Sequence, residues 1–221
     1  MDVPNRDELE ANLARKLSST QRALLKRLLD LMGDPPRLAN VPQSFWDESK
    51  VELTTTLRPI IQSIFEEQAL ALMTTLPMGV DWALINEAAV DFARRYTFDL
   101  VTGINNTTQK VLQRSISAFF EEGLTRGQLE ARISGLYGPV RAEMIAVTEV
   151  TRAATEGERA IAQELEKYGI KMVPYWGTKH DELVCPKCGP RNRQEITDGV
   201  FPPMHVRCRC HTNYKLPKVE P

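Results

Sequence analysis

The chain holds four cysteines, all between residues 185 and 210. They stand as Cys185-x-x-Cys188, a stretch of sixteen residues, then His205-x-x-Cys208-x-Cys210. Zinc takes four tetrahedral ligands from thiolate sulfur and imidazole nitrogen. A Cys-x-x-Cys turn presents two thiolates to one ion, and a His-x-x-Cys turn does the same from the other side. The intervening loop is long enough to fold back and join them. This pattern predicts a small module with almost no interior, held rigid by one structural Zn2+ on Cys185, Cys188, His205 and Cys208. Cys210 is the alternative ligand and His211 a further substitute, because the motif offers more donors than a tetrahedral site needs.

Other readings of these residues stay open. Unmetallated thiols, or a disulfide between the two halves, fit the same letters, and four cysteines allow three pairings. Asp181 either orients a ligand through a hydrogen bond or stabilises a turn. Arg191, Arg193, Arg207 and Arg209 crowd the motif. They either offset the negative charge of the thiolates or contact DNA phosphates or a partner protein. Catalysis is not expected. A hydrolytic zinc site keeps a coordination position open for water, and here the donors overfill the shell.

Hydrophobic residues make up 42% of the 221 and charged residues 26%, the balance of a globular chain with a core. The net charge of -1 gives no overall attraction to nucleic acid or membrane. Residues 171–221 nevertheless hold nine basic and five acidic side chains, against an acidic excess in the rest. The opening MDVPNRDELE is polar, which predicts no secretory signal. No apolar run is long enough for a membrane span. A reducing cytoplasm would favour metal ligation over disulfides.

The first 170 residues read as successive helices. Leu9, Leu13, Leu17, Leu24, Leu28 and Leu31 recur at helical spacing up to Gly33. A second helix is expected over about 44–76, kinked or split at Pro59, and a third over about 81–103. Asn105, Asn106, Thr107 and Thr108 read as caps that open a fourth, ending near Gly123. Thr125 with Gln128 forms a capping-box pattern for a short helix to Leu136. Pro139 suits the first turn of the next helix, about 139–168. Its apolar stripe runs through Val140, Met144, Val147, Ala154, Ile161, Leu165 and Tyr168. Its other face carries Glu149, Arg152, Glu156, Arg159 and Gln163. That face is either solvated and salt-bridged or a docking surface, with Glu149 and Arg152 beside the metal module. After Gly169, strands are expected at about 171–176 and 182–184, forming a hairpin, and again at 211–214. The fold class is therefore α+β and predominantly α-helical, with a helical body followed by a small β-hairpin and zinc-knuckle-like module. The expected divisions are 1–100, 101–168 and 169–221.

The run Ala142-Glu143-Met144-Ile145-Ala146-Val147-Thr148-Glu149 resembles the helix of the phage Mu protein F-like minor head, or head morphogenesis, family. So does the order Trp176, Thr178, Asp181, then Val184-Cys185-Pro186-x-Cys188, and the ending Pro202-Pro203-x-His205-x-x-Cys208-Arg209-Cys210. Glu122-Gly123-Leu124-Thr125 with Leu129 and Ile133 is similar to its preceding helical hairpin. The likeness covers about residues 100–215. The family usually has Arg where this chain has Val147, and often Asn at Thr155 or Glu156. The resemblance implies a virion protein in few copies, acting in procapsid assembly at the portal vertex or capsid interior. It implies portal, major capsid or scaffolding protein as partners, with an influence on DNA packaging or delivery. Residues 1–100 lie outside the strong likeness and are expected to carry attachment to portal or capsid. The alternatives are a zinc-stabilised nucleic-acid-binding protein and, third, a metallohydrolase.

Overall fold

The computed structural model describes residues 2–179 and 184–216. Five α-helices come first: α1 Arg6–Met32, α2 Gln43–Met73, α3 Trp82–Glu121, α4 Arg126–Ser134 and α5 Pro139–Lys167. Two strands follow, β1 Val173–Gly177 and β2 His211–Lys215. The chain is thus a helical body with a small β module near its C-terminus, as its periodicity predicts. No described helix is long and apolar enough to cross a membrane.

Local signals set several boundaries. At α4, Thr125 accepts from the Gln128 backbone N–H at 3.3 Å, and the Gln128 side chain accepts from the Thr125 N–H at 2.8 Å. Two otherwise unpaired donors are satisfied by this box. Pro139 opens α5, where its missing N–H costs nothing. Pro59 lies inside α2 and does not split it.

The break expected at Asn105–Thr108 is absent, and α3 runs through it for 40 residues. Asn105 is buried instead, accepting from Ser49 Oγ at 3.2 Å and donating to the Trp46 carbonyl at 3.5 Å. Thr108 turns its hydroxyl back onto the Ile104 carbonyl at 2.8 Å. Residues that cap a helix when exposed are here spent on tertiary partners inside one.

Two compact units divide the chain, and neither is continuous in sequence. One comprises residues 1–11, 60–93 and 144–221, the other 12–59 and 94–143. This division differs from the expected boundaries at 100 and 168, because the long helices pass through both units. In the second unit, Arg27 pairs with Glu48 at 2.5 Å and with Glu52. There Arg141 donates to Thr108 and to the carbonyls of Leu136 and Ile104.

In the first unit, Phe65, Ala69, Leu72, Ile85, Ala89, Ile161, Leu165 and Met172 form one apolar cluster. At its centre α5 meets α2 backbone to backbone. A Cβ on Gly157 would strike the Phe65 carbonyl oxygen and crowd Ala69 N. The α5 stripe is shorter than its periodicity suggests, since Val140 and Tyr168 are 62% and 72% exposed. On its other face Glu149 is buried, Arg152, Glu156 and Arg159 are half-buried and Gln163 is exposed, with Glu149 paired to Arg152 at 3.6 Å and Glu156 to Arg159 at 2.8 Å. The apolar stripe itself carries buried polar groups, Thr151 and Glu158, with Thr155 at its edge.

Glu158 accepts from Gln68 Nε2 at 2.6 Å and from the Thr212 hydroxyl. Burial raises its pKa to about 7. A carboxyl that holds its proton more tightly when folded stabilises fully below its unfolded value near 4.3. That stability is lost as pH rises through about 7. Glu158→Gln should remove this slope. We expect the variant to match the native protein at pH 4 and to melt higher at pH 8, on the order of 5–10 °C. Calorimetry at both pH values checks it, and an equal difference at each pH would contradict it.

The β module departs from the expected hairpin. β1 pairs antiparallel with β2, in the register Val173↔Lys215 to Gly177↔His211. The other edge of β1 bonds residues 193–196. Trp176 N–H donates to the Gln194 carbonyl at 2.8 Å, and Ile196 N–H to the Pro174 carbonyl at 2.9 Å. Both edges of β1 are thereby used. Of the strand expected at 182–184, Val184 is not in a strand, and residues 182–183 lie outside the described residues, as does Asp181.

Candidate metal centre

The chain between the two strands carries both Cys/His turns. Cys185 C=O accepts from the N–H groups of Cys188 and Gly189, each at 3.0 Å, which closes the first turn. Cys208 N–H donates to the His205 carbonyl at 3.2 Å, which closes the second. Trp176 roofs the pair. With Ile196 it packs against Cys188, Cys208 and Cys210, and all five are buried.

The two turns converge. His205 Nε2 lies 3.0 Å from Cys185 Sγ and 3.2 Å from Cys188 Sγ, and Cys188 Sγ lies 4.0 Å from Cys208 Sγ. Two groups of three donors each could hold a metal ion: Cys185, Cys188 and His205, and Cys188, Cys208 and Cys210. Cys188 belongs to both. His205 Nδ1 is 2.8 Å from the Val206 carbonyl. Donation there puts the proton on Nδ1 and leaves the Nε2 lone pair facing the sulfurs, the tautomer a ligand needs.

Electrostatics within the cluster are those of crowded thiols. The Cys210 thiol, hydrogen-bonded to Cys208, holds the latter down to about 5. Cys210 is driven up by the same bond and by burial, against the pull of the Trp176 indole. Burial, then the Cys185 bond and the Cys208 charge, raise Cys188 to about 12. Cys185 is pushed up by burial but ends below its usual value, through the Cys188 and Lys187 N–H groups and the His205 charge. His205 is raised, first by its bond to Val206. The cluster thus tolerates few thiolates on its own, and a bound cation is what would let more of them ionise together.

The module is tied to α5 and to the start of the chain. Thr151 Oγ1 donates to the Cys208 carbonyl at 2.7 Å, and Thr148 Oγ1 accepts from Arg207 N–H at 3.0 Å. Arg6, 3% exposed, donates to Thr151 Oγ1 at 2.8 Å and to the Cys210 carbonyl at 3.4 Å. Arg209 pairs with Asp7 and with Glu10 at 3.1 Å, and Lys179 reaches Asp7 at 3.2 Å. Those two cations hold the Asp7 carboxyl below its usual range.

The expected residues therefore fall into different places. Cys185, Cys188 and His205 form one donor group and Cys188, Cys208 and Cys210 another, so the expected set Cys185, Cys188, His205 and Cys208 is divided between two groups that share Cys188. His211 stands in β2, outside both donor groups, with Nδ1 3.8 Å from Asp2. Glu149 is buried and pairs with Arg152 at 3.6 Å, and Thr148 and Thr151 of the same helix bond the His205–Cys210 segment. Of the four arginines, Arg191 binds Asp198 at 2.5 Å and lies over the Trp176 ring. Arg209 is held by acids and Arg207 lends its backbone to Thr148. Arg193 alone has neither an acidic nor a hydrogen-bonded side-chain partner among the described residues. Sequence reasoning missed Arg6, Glu10, Thr148 and Thr151. The one signal available was the spacing of Thr148, Thr151 and Thr155, which puts three hydroxyls on one stripe of α5.

No protein-family model, curated protein or solved structure matches this chain.

Proposed function

We propose that the centre is a structural zinc site and that the chain is a minor head protein of a tailed phage, acting without catalysis in procapsid assembly. The observation that carries the metal reading is the convergence of His205 Nε2 and three sulfurs around Cys188. A tetrahedral ion with sulfur at about 2.3 Å has sulfur–sulfur edges of about 3.8 Å, close to the 4.0 Å between Cys188 and Cys208. Cys185, Cys188, His205 and Cys208 are the ligands, with Cys210 the alternative. Four protein donors leave no place for a reactive water, which favours a staple over a hydrolase.

The assembly reading rests on the likeness of residues 100–215 to the phage Mu protein F-like family and on the engagement of most of the basic module. Arg191 and Arg209 answer acids of the same chain, which favours a partner-binding module over a broad DNA-binding face. The protein would reside in the virion, with portal, major capsid or scaffolding protein as its partner. Because residues 1–11 and 60–93 share a unit with the metal module, the full chain is the proper reagent. It should co-purify with portal protein when both are expressed, and mass spectrometry should find it in purified heads in a few copies. Heads of normal composition without this chain would reject the assembly role.

A further inference from the structure

A cleft of about 450 Å³ opens beside the β module, apart from the metal ligands. That volume is in the range of small-ligand sites. Leu72 and Thr75 from the end of α2 line one side, and Tyr175, Asn213 and Lys215 of the sheet line another, with Arg193 beside them. Tyr175 and Asn213 are register partners, so their side chains share one face of the sheet.

The charge of this cleft is one-sided. Among the described residues it holds Arg193 and Lys215 and no carboxylate. Most other cations of the module are committed: Arg191 to Asp198, Arg209 to Asp7 and Glu10, Lys179 to Asp7. Arg193 and Lys215 have no acidic partner among the described residues. Lys215 Nζ lies 4.7 Å from the centre of the Tyr175 ring, which limits where the ammonium can sit. Arg193 is held at φ 64, in the left-handed region, with its N–H on the Trp176 carbonyl at 2.8 Å. Residues other than Gly, Asn and Asp rarely occupy that conformation, and here it fixes where the Arg193 side chain leaves the backbone. Tyr214 completes the wall, and burial pushes its hydroxyl up, so that it stays a donor.

We propose that this cleft binds a phosphate group of a nucleotide, free or in a single strand, between Arg193 and Lys215. Arg193 supplies a planar fork of donors matched to phosphate oxygens, and Lys215 a point charge. Asn213 and Tyr214 add neutral donors. No metal ligand takes part, so the zinc reading can fail without this one failing.

The test uses the full-length, metal-loaded protein with two probes, a fluorescein-labelled ten-residue oligothymidylate and inorganic pyrophosphate. Arg193→Asn suits a left-handed backbone while removing the charge. Combined with Lys215→Gln, it should weaken binding at least tenfold without changing the zinc content. The slope of log affinity against log salt should fall by about 1.4, as for two lost contacts to a single strand. Arg58→Gln, on an exposed helix surface elsewhere, should change nothing. Binding of both probes identifies the phosphate alone as the recognised group, and binding of the oligonucleotide only identifies the strand as its source. If the double variant loses zinc, Lys215→Gln alone carries the test, with a several-fold loss expected. The proposal is overturned if neither probe binds with a dissociation constant below about 1 mM, or if the charge-removed proteins bind like the native one. Capture of an acidic peptide with no binding of either phosphate probe would also overturn it, in favour of a protein partner.

Discussion

Cys188→Ser should strip the metal from the protein and unfold the segment between β1 and β2. Serine nearly preserves the volume, so the loss would come from the donor atom and not from packing. Cys188 is the one residue common to both donor groups, so neither Cys208 nor Cys210 can restore a site that lacks it. Metal-binding free energy in such a module is folding free energy, on the order of 10 kcal/mol at neutral pH. The cluster around Trp176 and Ile196 is too small to compensate. Expected readouts are zinc at background in elemental analysis and loss of the Trp176 near-ultraviolet dichroism. Helical dichroism should remain, because the helices carry their own core. Cys210→Ser gives the contrast and should keep one zinc per chain if Cys208 is the fourth ligand. A Cys188→Ser protein with full zinc would refute the ligand assignment.

Gly157→Ala should destabilise the protein although it improves the helix. In isolation the change favours a helix by about 1 kcal/mol. Here the added carbon would collide with the Phe65 carbonyl, an oxygen that α2 backbone cannot swing away. Separating the helices would loosen Ile161 and Leu165 from Leu72 and Ala69, all buried in that cluster. Overpacking of this kind costs about 1–3 kcal/mol, and backbone contacts stand at the upper end. The net expectation is a loss of about 2 kcal/mol, or roughly 4–8 °C in the melting temperature of a chain this size. Gly157→Val should cost more. An unchanged or raised melting temperature in Gly157→Ala would show that α2 and α5 do not meet as described.

The helices were legible because their signals are local. Leu13, Leu17, Leu24 and Leu28 repeat on one stripe, and Thr125 with Gln128 closes a box within four residues. The two turns at Cys185–Cys188 and His205–Cys208 were legible for the same reason, since each closes over three residues. What failed depended on distant partners. Asn105 looks like a cap until Ser49, 56 residues away, takes its side chain. β1 reads as half of a local hairpin, but its partner lies beyond the whole ligand segment. The threonines of α5 look merely polar until the Cys208 carbonyl and the Arg207 N–H arrive from the other end of the chain. Arg6 carries no hint in its surroundings, because its partners Thr151 and Cys210 are 145 and 204 residues away. Burial of charge is set by tertiary packing, and no periodicity reports it.

X-ray absorption at the zinc edge of the purified, full-length protein tests the central claim most directly. One zinc per chain is expected, with three sulfur neighbours near 2.3 Å and one nitrogen near 2.0–2.1 Å. Well-folded protein that binds no zinc, or a zinc shell containing oxygen in place of sulfur, would contradict the account.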